Sequence, residues 1–211
     1  EIANRITIVD MLKDFDAIIA TGSNNTSRYF DYYFGKYPNI IRKNRNSLAV
    51  LTGNESEQQL QNLNKDVFQY FGLGCRNVSK LLVPKEFDFD KLFSAFEPFR
   101  TLYDHNKYAN NYDYHKGLLL LNEDTFKDTG FLLLREKESL ASPMATLHYE
   151  YYHEEQTIHS VIGKHNGDLQ LVVGNSAELS MPELDFGATQ APELWHYPDK
   201  LDTLAFLEDL N

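Results

Sequence analysis

Three short β-rich runs each lead into a segment with helical periodicity, and this alternation limits the folds that the chain can adopt. The runs are Ala17–Ala20, Leu48–Leu51 and Lys80–Val83. Because a crossover helix between two strands leaves those strands parallel, strand–helix alternation is typical of α/β proteins. The sequence therefore predicts an α/β chain with a mainly parallel sheet.

The clearest predicted helix follows Leu48–Leu51. Asn54 and Glu57 resemble a capping box at its start. Its apolar face is predicted to comprise Leu60, Leu63, Val67, Phe68 and Phe71. Further helices are predicted from Ser23 or Asn24 to Gly35, in "DFDKLFSAFEPF" and over Tyr108–Leu121.

The later part of the chain is richer in strand patterns, which adds antiparallel pairs to the predicted sheet. A hairpin is expected through Asn166-Gly167, a dipeptide that two-residue turns favour. A separate first strand is predicted at Ile6–Val9. The later predicted strands are Phe131–Leu134, Thr146–Tyr152, Thr157–Ile162 and Leu169–Val173.

The charge balance argues against two classes of partner. The 211 residues carry a net charge of −11, whereas general binding to nucleic acid or to an anionic membrane needs clustered Lys and Arg. No apolar run approaches the roughly 20 residues that span a bilayer, and no secretory signal is expected. One cysteine cannot form an internal disulfide. We therefore expect a cytoplasmic protein without nucleic-acid partners.

The turn of Thr21, Gly22 and Ser23 is a candidate phosphate site. It ends a predicted strand and begins a predicted helix, where unpaired backbone N–H groups and the positive end of the helix dipole meet. The alternative is an ordinary helix cap without a ligand.

Cys75 is the candidate nucleophile. It follows Gly72 and Gly74, which permit a bend, and Arg76 and Lys80 would favour its thiolate. The alternative interpretation is a small, buried side chain without chemistry.

The histidines of "LHYEYYHEEQTIH" are not expected to bind a metal. His148, Glu150, His153 and His159 lack the standard spacings of metal ligands. Strand alternation places His148 and Glu150 on one face, which is predicted to be solvated.

Arg42, Lys43 and Arg45 form a basic cluster in a stretch without acidic residues. They predict either surface ion pairs or a pocket for a phosphorylated ligand.

Several stretches together resemble one family. They are "ATGSNNTSRYFDYYFGKYPNIIRKNRNSLAVL", "YFGLGCRNVSKLLVP", "SPMATLHYEYY" and "LDFGATQAPELWHYPDKLDTLAFL". In this order they resemble the LuxC-type acyl-CoA reductases of the aldehyde dehydrogenase superfamily, over nearly the whole chain. The match corresponds to the second half of such an enzyme and implies a three-layer α/β/α fold.

The resemblance implies a nicotinamide cofactor, NADPH or NADH. Thr21, Gly22 and Ser23 match the turn that meets the cofactor pyrophosphate, and Gly187 of the Phe186-Gly187 pair matches a position near the rim of the active site. Three domains are implied: 1–45 as a remnant of the nucleotide-binding domain, 46–185 as the catalytic domain and 186–211 as a C-terminal segment.

The sequence departs from the superfamily pattern at several places. Ser27 stands where the superfamily has a glycine one helical turn after the phosphate turn. The glutamate that contacts the nicotinamide ribose would fall near Glu138 or Ser139. Hydrolytic members carry a water-activating glutamate in an interval that is free of acids here, ahead of Glu55 and Glu57.

By resemblance, Cys75 is the catalytic nucleophile of an NAD(P)H-dependent reductase of acyl-CoA with a long acyl chain. Its backbone N–H, with a side-chain amide from the other half of the enzyme, would stabilise the oxyanion. This chain alone is expected to be inactive, and its strand-rich later part would supply the edge of a homo-oligomer. The alternatives are a hydrolytic or a short-chain CoA-acylating aldehyde dehydrogenase, or a non-catalytic fragment.

Overall fold

The computed structural model describes residues 2–177, 179–180 and 182–210, and they divide into two compact units. The first unit contains residues 1–44 and 195–211, and the second contains residues 45–194. The three domains implied by resemblance stay a prediction.

The first unit is built around one strand–helix–strand motif. Strand β1 (Ile18–Thr21) is followed by helix α1 (Asn24–Phe34) and by strand β2 (Asn39–Arg42), which pairs with β1 in parallel. A short helix, Thr203–Glu208, lies near the end of the chain and is the last of the six described α-helices. The crossover helix explains the parallel pairing.

A six-stranded sheet organises the second unit. Its order is β5-β6-β7-β4-β3-β8, and every neighbouring pair is parallel except β5 and β6. The strands are β3 (Asn46–Val50), β4 (Val78–Pro84), β5 (Lys127–Asp128), β6 (Leu133–Glu136), β7 (Thr146–Tyr152) and β8 (Leu169–Val173). The predicted α/β class with a mainly parallel sheet is confirmed.

Helices cover both faces of this sheet. They are α2 (Glu57–Phe68), α3 (Phe89–Phe96), α4 (Asn106–Leu121) and α5 (Glu155–His165). Leu63 of α2 and Phe96 of α3 belong to one buried cluster with alternate strand residues such as Leu81. Ile158 of α5 packs with Leu82, which points to the opposite face. The three-layer α/β/α arrangement is thus present within one unit.

The predicted strand Thr157–Ile162 is wrong, because this segment is part of α5. Ile158 and Val161 are buried one helical turn apart, and they pack on the sheet through β-branched side chains that also suit strands. The hairpin through Asn166-Gly167 is wrong as well. This dipeptide follows a helix, and β8 pairs with β3 rather than with its predecessor in the chain.

The predicted strand Ile6–Val9 does not form. The segment has no partner strand within the described residues, and Ile8 is 96% exposed. Without a neighbour to pair its backbone groups, an extended apolar run remains irregular.

The capping box of α2 lies two residues later than predicted. Ser56 accepts a hydrogen bond from the Gln59 backbone N–H, and the Gln59 side chain accepts one from the Ser56 N–H. Asn54 and Glu57 do not form the predicted pair. Ser–x–x–Gln is itself a capping-box pattern, so the sequence carried the correct signal.

Of the helices that the structure describes, none combines the length and the apolar composition that crossing a membrane requires.

Candidate active site

A left-handed turn connects α2 to the loop that carries Cys75. Tyr70, Phe71 and Gly72 have φ angles of 54°, 61° and 72°. A non-glycine residue in this region is strained by about 1–3 kcal/mol. Gly72 relieves that strain at its own position, where a Cβ atom would also lie 3.0 Å from the Val67 carbonyl oxygen. Of the two glycines predicted to form the bend, only Gly72 has a positive φ.

Cys75 is exposed at the end of this turn, just before β4. Its carbonyl oxygen accepts a hydrogen bond from Ser47 Oγ at 3.2 Å. Asn77 holds the loop more firmly, because its Oδ1 accepts from the Gly74 N–H at 2.8 Å and its Nδ2 donates to the carbonyl of Gln69 at 2.9 Å. The thiol is therefore presented to solvent by a backbone that is fixed on both sides.

The two cations predicted to support the thiolate have different surroundings. Arg76 interacts electrostatically with Cys75 and Glu183, which partly opposes the lowering of the Arg76 pKa by burial. Lys80 is fully buried, and its Nζ lies 2.5 Å from Glu150 Oε2 and 2.6 Å from the Glu138 carbonyl oxygen. The charge of Lys80 is thus paired within the sheet, and Arg76 is the cation beside Cys75.

A buried carboxylate fixes the segment that contains Gly187. Asp66 of α2 accepts hydrogen bonds from the Gly187 N–H at 2.6 Å and from the N–H and hydroxyl of Thr189 at 3.0 and 2.8 Å. Burial raises the pKa of Asp66, although these three donors oppose the shift. The Thr189 carbonyl oxygen accepts from Arg76 Nε. The segment that contains Gly187 and Thr189 therefore joins α2 to the Cys75 loop.

The predicted phosphate turn lies in the first unit, at the start of α1. The Ser23 hydroxyl caps the helix by accepting from the Thr26 N–H at 3.2 Å. A Cβ atom on Gly22 would lie 2.9 Å from Thr26 Cβ and 3.1 Å from Phe30, so this glycine is required for close packing against the helix. Thr21 ends β1.

Backbone N–H groups are available at the start of α1, where the sequence predicts a phosphate site. The first-turn N–H groups of Asn24 and Asn25 have no intrahelical acceptor, and they meet the positive end of the helix dipole. Ser27, which replaces a superfamily glycine, is buried and donates from Oγ to the Asn24 carbonyl oxygen at 2.9 Å. The serine is thus accommodated inside the helix turn.

His148 and Glu150 share a strand face, but that face is not the predicted solvated one. His148 is 2% exposed, and burial lowers its pKa to about 4. Its Nδ1 lies 2.9 Å from the Ser139 carbonyl oxygen. Loop residues 138–140 cover the strands here, which the alternation of β7 could not reveal. No group of potential metal ligands occurs among the residues that the structure describes.

The basic cluster is divided between the two units. Arg42 Nη2 donates to Thr203 Oγ1 at 3.1 Å, and Lys43 pairs with Asp31 at 3.3 Å on the surface. In the second unit, Arg45 Nη1 donates to the Leu169 carbonyl oxygen at 3.2 Å. Each cation thus has a protein partner.

A cavity of about 900 Å³ lies at the carboxyl ends of β4, β6 and β7 in the second unit. Cys75 precedes the amino end of β4 and therefore lies at the opposite edge of the sheet. Arg135 and Asp124 in the cavity wall form an ion pair of 2.8 Å. Charges of both signs line this cavity.

No family model and no curated protein matches the chain. Among solved structures, it is similar to a Burkholderia cenocepacia protein assigned as an aldehyde dehydrogenase (15% identity, TM-score 0.57, 84% of this chain and 48% of that one). It is also similar to the indole-3-acetaldehyde dehydrogenase of P. syringae, solved with NAD⁺ (12% identity, TM-score 0.56, 78% and 41%). A third match is the aldehyde dehydrogenase KauB from Pseudomonas aeruginosa (11%, TM-score 0.54, 75% and 40%).

These solved structures belong to the aldehyde dehydrogenase superfamily. Because the sequence identity is low, the similarity shows only that the chain has the fold of that superfamily. The chain spans about half the length of these structures or less.

Sequence reasoning missed three residues that shape the loop of Cys75. They are Asp66, Asn77 and Thr189, and each is buried. Asp66 had a usable signal, since a charged residue three positions after Leu63 lies on the apolar face of α2. The roles of Asn77 and Thr189 depend on distant partners that no local pattern indicates.

Proposed function

We propose that the intact protein reduces an acyl-CoA to the corresponding aldehyde, with Cys75 as the residue that carries the acyl group. The main support is the exposed Cys75 thiol beside Arg76, on a strained loop between a helix and a strand. The aldehyde dehydrogenase fold of the matched structures supports an oxidoreductase acting on the aldehyde group.

The first chemical step is acyl transfer to sulfur. The Cys75 thiolate attacks the carbonyl carbon of the thioester, and a new C–S bond forms. The old C–S bond breaks, and CoA leaves as a thiolate with the bonding electron pair. The Cys75 N–H would donate to the oxygen on which negative charge develops.

The N–H groups of Asn24 and Asn25 would hold the pyrophosphate of NADPH or NADH, which supplies a hydride when bound. Thr21, Gly22 and Ser23 lead into α1, whose first turn carries these N–H groups. A contact between Gly187 and the cofactor stays a prediction, because the Gly187 N–H already donates to Asp66. Once the acyl carbon is at the aldehyde oxidation level, its bond to the Cys75 sulfur would break as the carbonyl re-forms. The bonding electron pair would stay on sulfur, which regenerates the nucleophile.

The hydrogen bonds of Glu55 and Glu57 favour reduction over hydrolysis. Glu55 accepts hydrogen bonds from the N–H groups of Thr52 and Gly53, and Glu57 accepts one from Gln61. Both acids are thus engaged in local structure at the start of α2. Deacylation by water without a general base is slow, so a thioester on Cys75 would persist long enough to be reduced.

Apolar side chains near Cys75 favour a long acyl chain. Tyr70 and Leu73 are each 64% exposed, and Phe71 is 36% exposed. A long acyl group would cover part of this apolar surface, which stabilises binding by about 25 cal/mol per Å² removed from water.

Product analysis of the intact protein tests this function. We expect myristoyl-CoA with NADPH or NADH to give free CoA and the aldehyde, with far less product from acetyl-CoA and none from the Cys75→Ser variant. Release of the fatty acid would instead indicate a hydrolytic enzyme. Absence of any product would indicate a non-catalytic protein, and either result would overturn the proposal.

A further inference from the structure

A recess of about 200 Å³ lies between α4 and the sheet of the second unit. Leu118, Leu119 and Pro143 form an apolar part of its wall. The polar part of the wall includes His115, Asp124, Arg135, Lys137, Thr146 and His148. Three of these polar residues also line the cavity of about 900 Å³, so the two spaces adjoin. An apolar recess with a few converging polar groups is the usual form of a site for a small molecule.

The hydroxyl group of Thr146 lacks a hydrogen-bond partner among the described residues, although it is buried. The residue is only 8% exposed and lines the recess. A buried hydroxyl without a partner is unfavourable, and buried polar groups of native proteins are nearly always hydrogen-bonded. An oxygen atom of a ligand in the recess would accept the missing hydrogen bond.

His148 adds a hydrogen-bond acceptor to the same recess. It lies two residues from Thr146 on β7, so both side chains point to the same face of the sheet. Its Nδ1 is 2.9 Å from the Ser139 carbonyl oxygen, which can only accept, so Nδ1 carries the proton. Burial lowers the pKa of His148 to about 4, so the ring is neutral at pH 7.5 and Nε2 has a free lone pair. A matching ligand therefore offers Nε2 a donor, such as a hydroxyl group.

The wall of the recess has one positive charge in excess. Arg135 and Asp124 form an ion pair of 2.8 Å, so their charges balance. Burial lowers the pKa of His115, which is therefore neutral at pH 7.5. Lys137 forms no ion pair with a carboxylate in the part of the chain that the structure describes. The unbalanced ammonium group of Lys137 favours a ligand with one negative charge.

We propose that this recess binds a small hydroxycarboxylate as a monoanion. The carboxylate would accept from the Thr146 hydroxyl and lie near the Lys137 ammonium group, and the ligand hydroxyl would donate to His148 Nε2. The apolar part of the wall would contact a short alkyl group. This inference does not rest on the acyl-CoA reaction, because it uses no residue of the Cys75 loop.

The test compares racemic lactate with propionate, which differ only in the hydroxyl group. The intact protein, labelled with ¹³C at Cε1 of its histidine rings, is titrated with each acid at pH 7.5. The NMR signal of His148 is identified by its loss in the His148→Gln variant. We expect lactate to shift this signal saturably and to bind roughly threefold or more tightly than propionate, because only lactate can donate to Nε2. No saturable shift with lactate, or equal affinities for the two acids, would overturn the proposal.

A pair of lysine variants tests the position of the carboxylate. We expect Lys137→Met to weaken lactate binding by roughly threefold or more, because it removes the unbalanced charge in the wall. Lys85→Met is the matched control, since Lys85 is exposed and lines the larger cavity but not the recess. Its affinity for lactate should equal that of the wild type. Equal weakening in both variants would indicate general attraction to basic side chains and would overturn the assigned site.

Thr146→Val tests the hydroxyl group, because valine has nearly the same shape as threonine. We expect this variant to bind lactate roughly threefold or more weakly and to unfold at the same urea concentration as the wild type or a higher one, since the hydroxyl has no described protein partner to lose. Wild-type affinity in the folded variant would contradict the proposed contact. If Thr146→Val does not fold, the two lysine variants still decide, because both positions are exposed.

Discussion

Cys75 had two interpretations from sequence, a reactive thiol or a small buried side chain, and its exposure contradicts the second. The strained turn before it and the Asn77 hydrogen bonds explain how a loop residue is held in one place. Rigid presentation of this kind is what a nucleophile requires. Its catalytic role stays a prediction.

Lys80 supports the same sheet through a buried charge. We expect Lys80→Met to lower the free energy of unfolding by about 2 kcal/mol, because Glu150 would lose its cation and the Glu138 carbonyl would lose a donor. Urea denaturation measures the change. Lys91→Met is the control, since its pair with Asp88 is exposed and 3.9 Å long, and it should cost less than about 0.5 kcal/mol. Equal losses of unfolding free energy in the two variants would contradict the claim that the buried Lys80 pair matters more for stability than the exposed Lys91 pair.

His148 should make stability depend on pH. Its folded pKa of about 4 is below the unfolded value of about 6.5, so the unfolded chain binds more protons between these values. Stability is therefore lost as the pH falls, by about 2 kcal/mol from this group between pH 7.5 and pH 5.

The control for this pH effect is His148→Gln, which cannot titrate. Urea denaturation at both pH values should show a smaller loss for the variant than for the wild type. Identical losses would mean that His148 is not buried in its neutral form.

At the scale of an element, helix α2 is fixed at both ends. It begins at the Ser56 capping box and leads into the strained turn before Cys75. We expect Ser56→Ala to lower the free energy of unfolding by about 1 kcal/mol, since it removes the capping box. Asn54→Ala should be nearly neutral, because the Asn54 side chain is exposed and outside the capping box. Urea denaturation compares the two, and a larger loss for Asn54→Ala would support the cap predicted from sequence.

The elements could be predicted where local pattern and final environment agree. Thr146–Tyr152 and Leu169–Val173 are strands at the predicted bounds, since their β-rich runs become strands of the sheet. Thr157–Ile162 could not be assigned correctly because β-branched residues suit strands, yet this segment packs its i, i+3 face on the sheet. The partner of β8 is β3, which lies more than a hundred residues away.

The candidate site could be predicted only in outline. The place of Cys75 between a helix and a strand follows from its flanking patterns, and Ser23 caps α1 as expected. The partner of Lys80 could not be predicted, because it depends on the strand order that brings β7 beside β4. The hydrogen bond between Arg76 and Thr189 could not be predicted either, because the two residues are 113 positions apart in the sequence.

At the scale of the whole molecule, the three buried hydrophobic clusters formed by the described residues lie within residues 45–194. We expect this segment to fold when it is produced alone, because it holds a complete sheet with helices on both faces. Circular dichroism and a cooperative urea transition would check this. Loss of cooperativity would mean that the second unit needs residues 1–44 or 195–211 to fold.

The central claim is that Cys75 accepts the acyl group, and intact mass spectrometry tests it most directly. The intact protein is mixed with myristoyl-CoA without reduced cofactor, beside a Cys75→Ala variant. We predict one acyl adduct that hydroxylamine removes and that the variant lacks, because a thioester forms only on this sulfur. No adduct on the wild type, or an adduct of the same mass on the variant, would contradict the account.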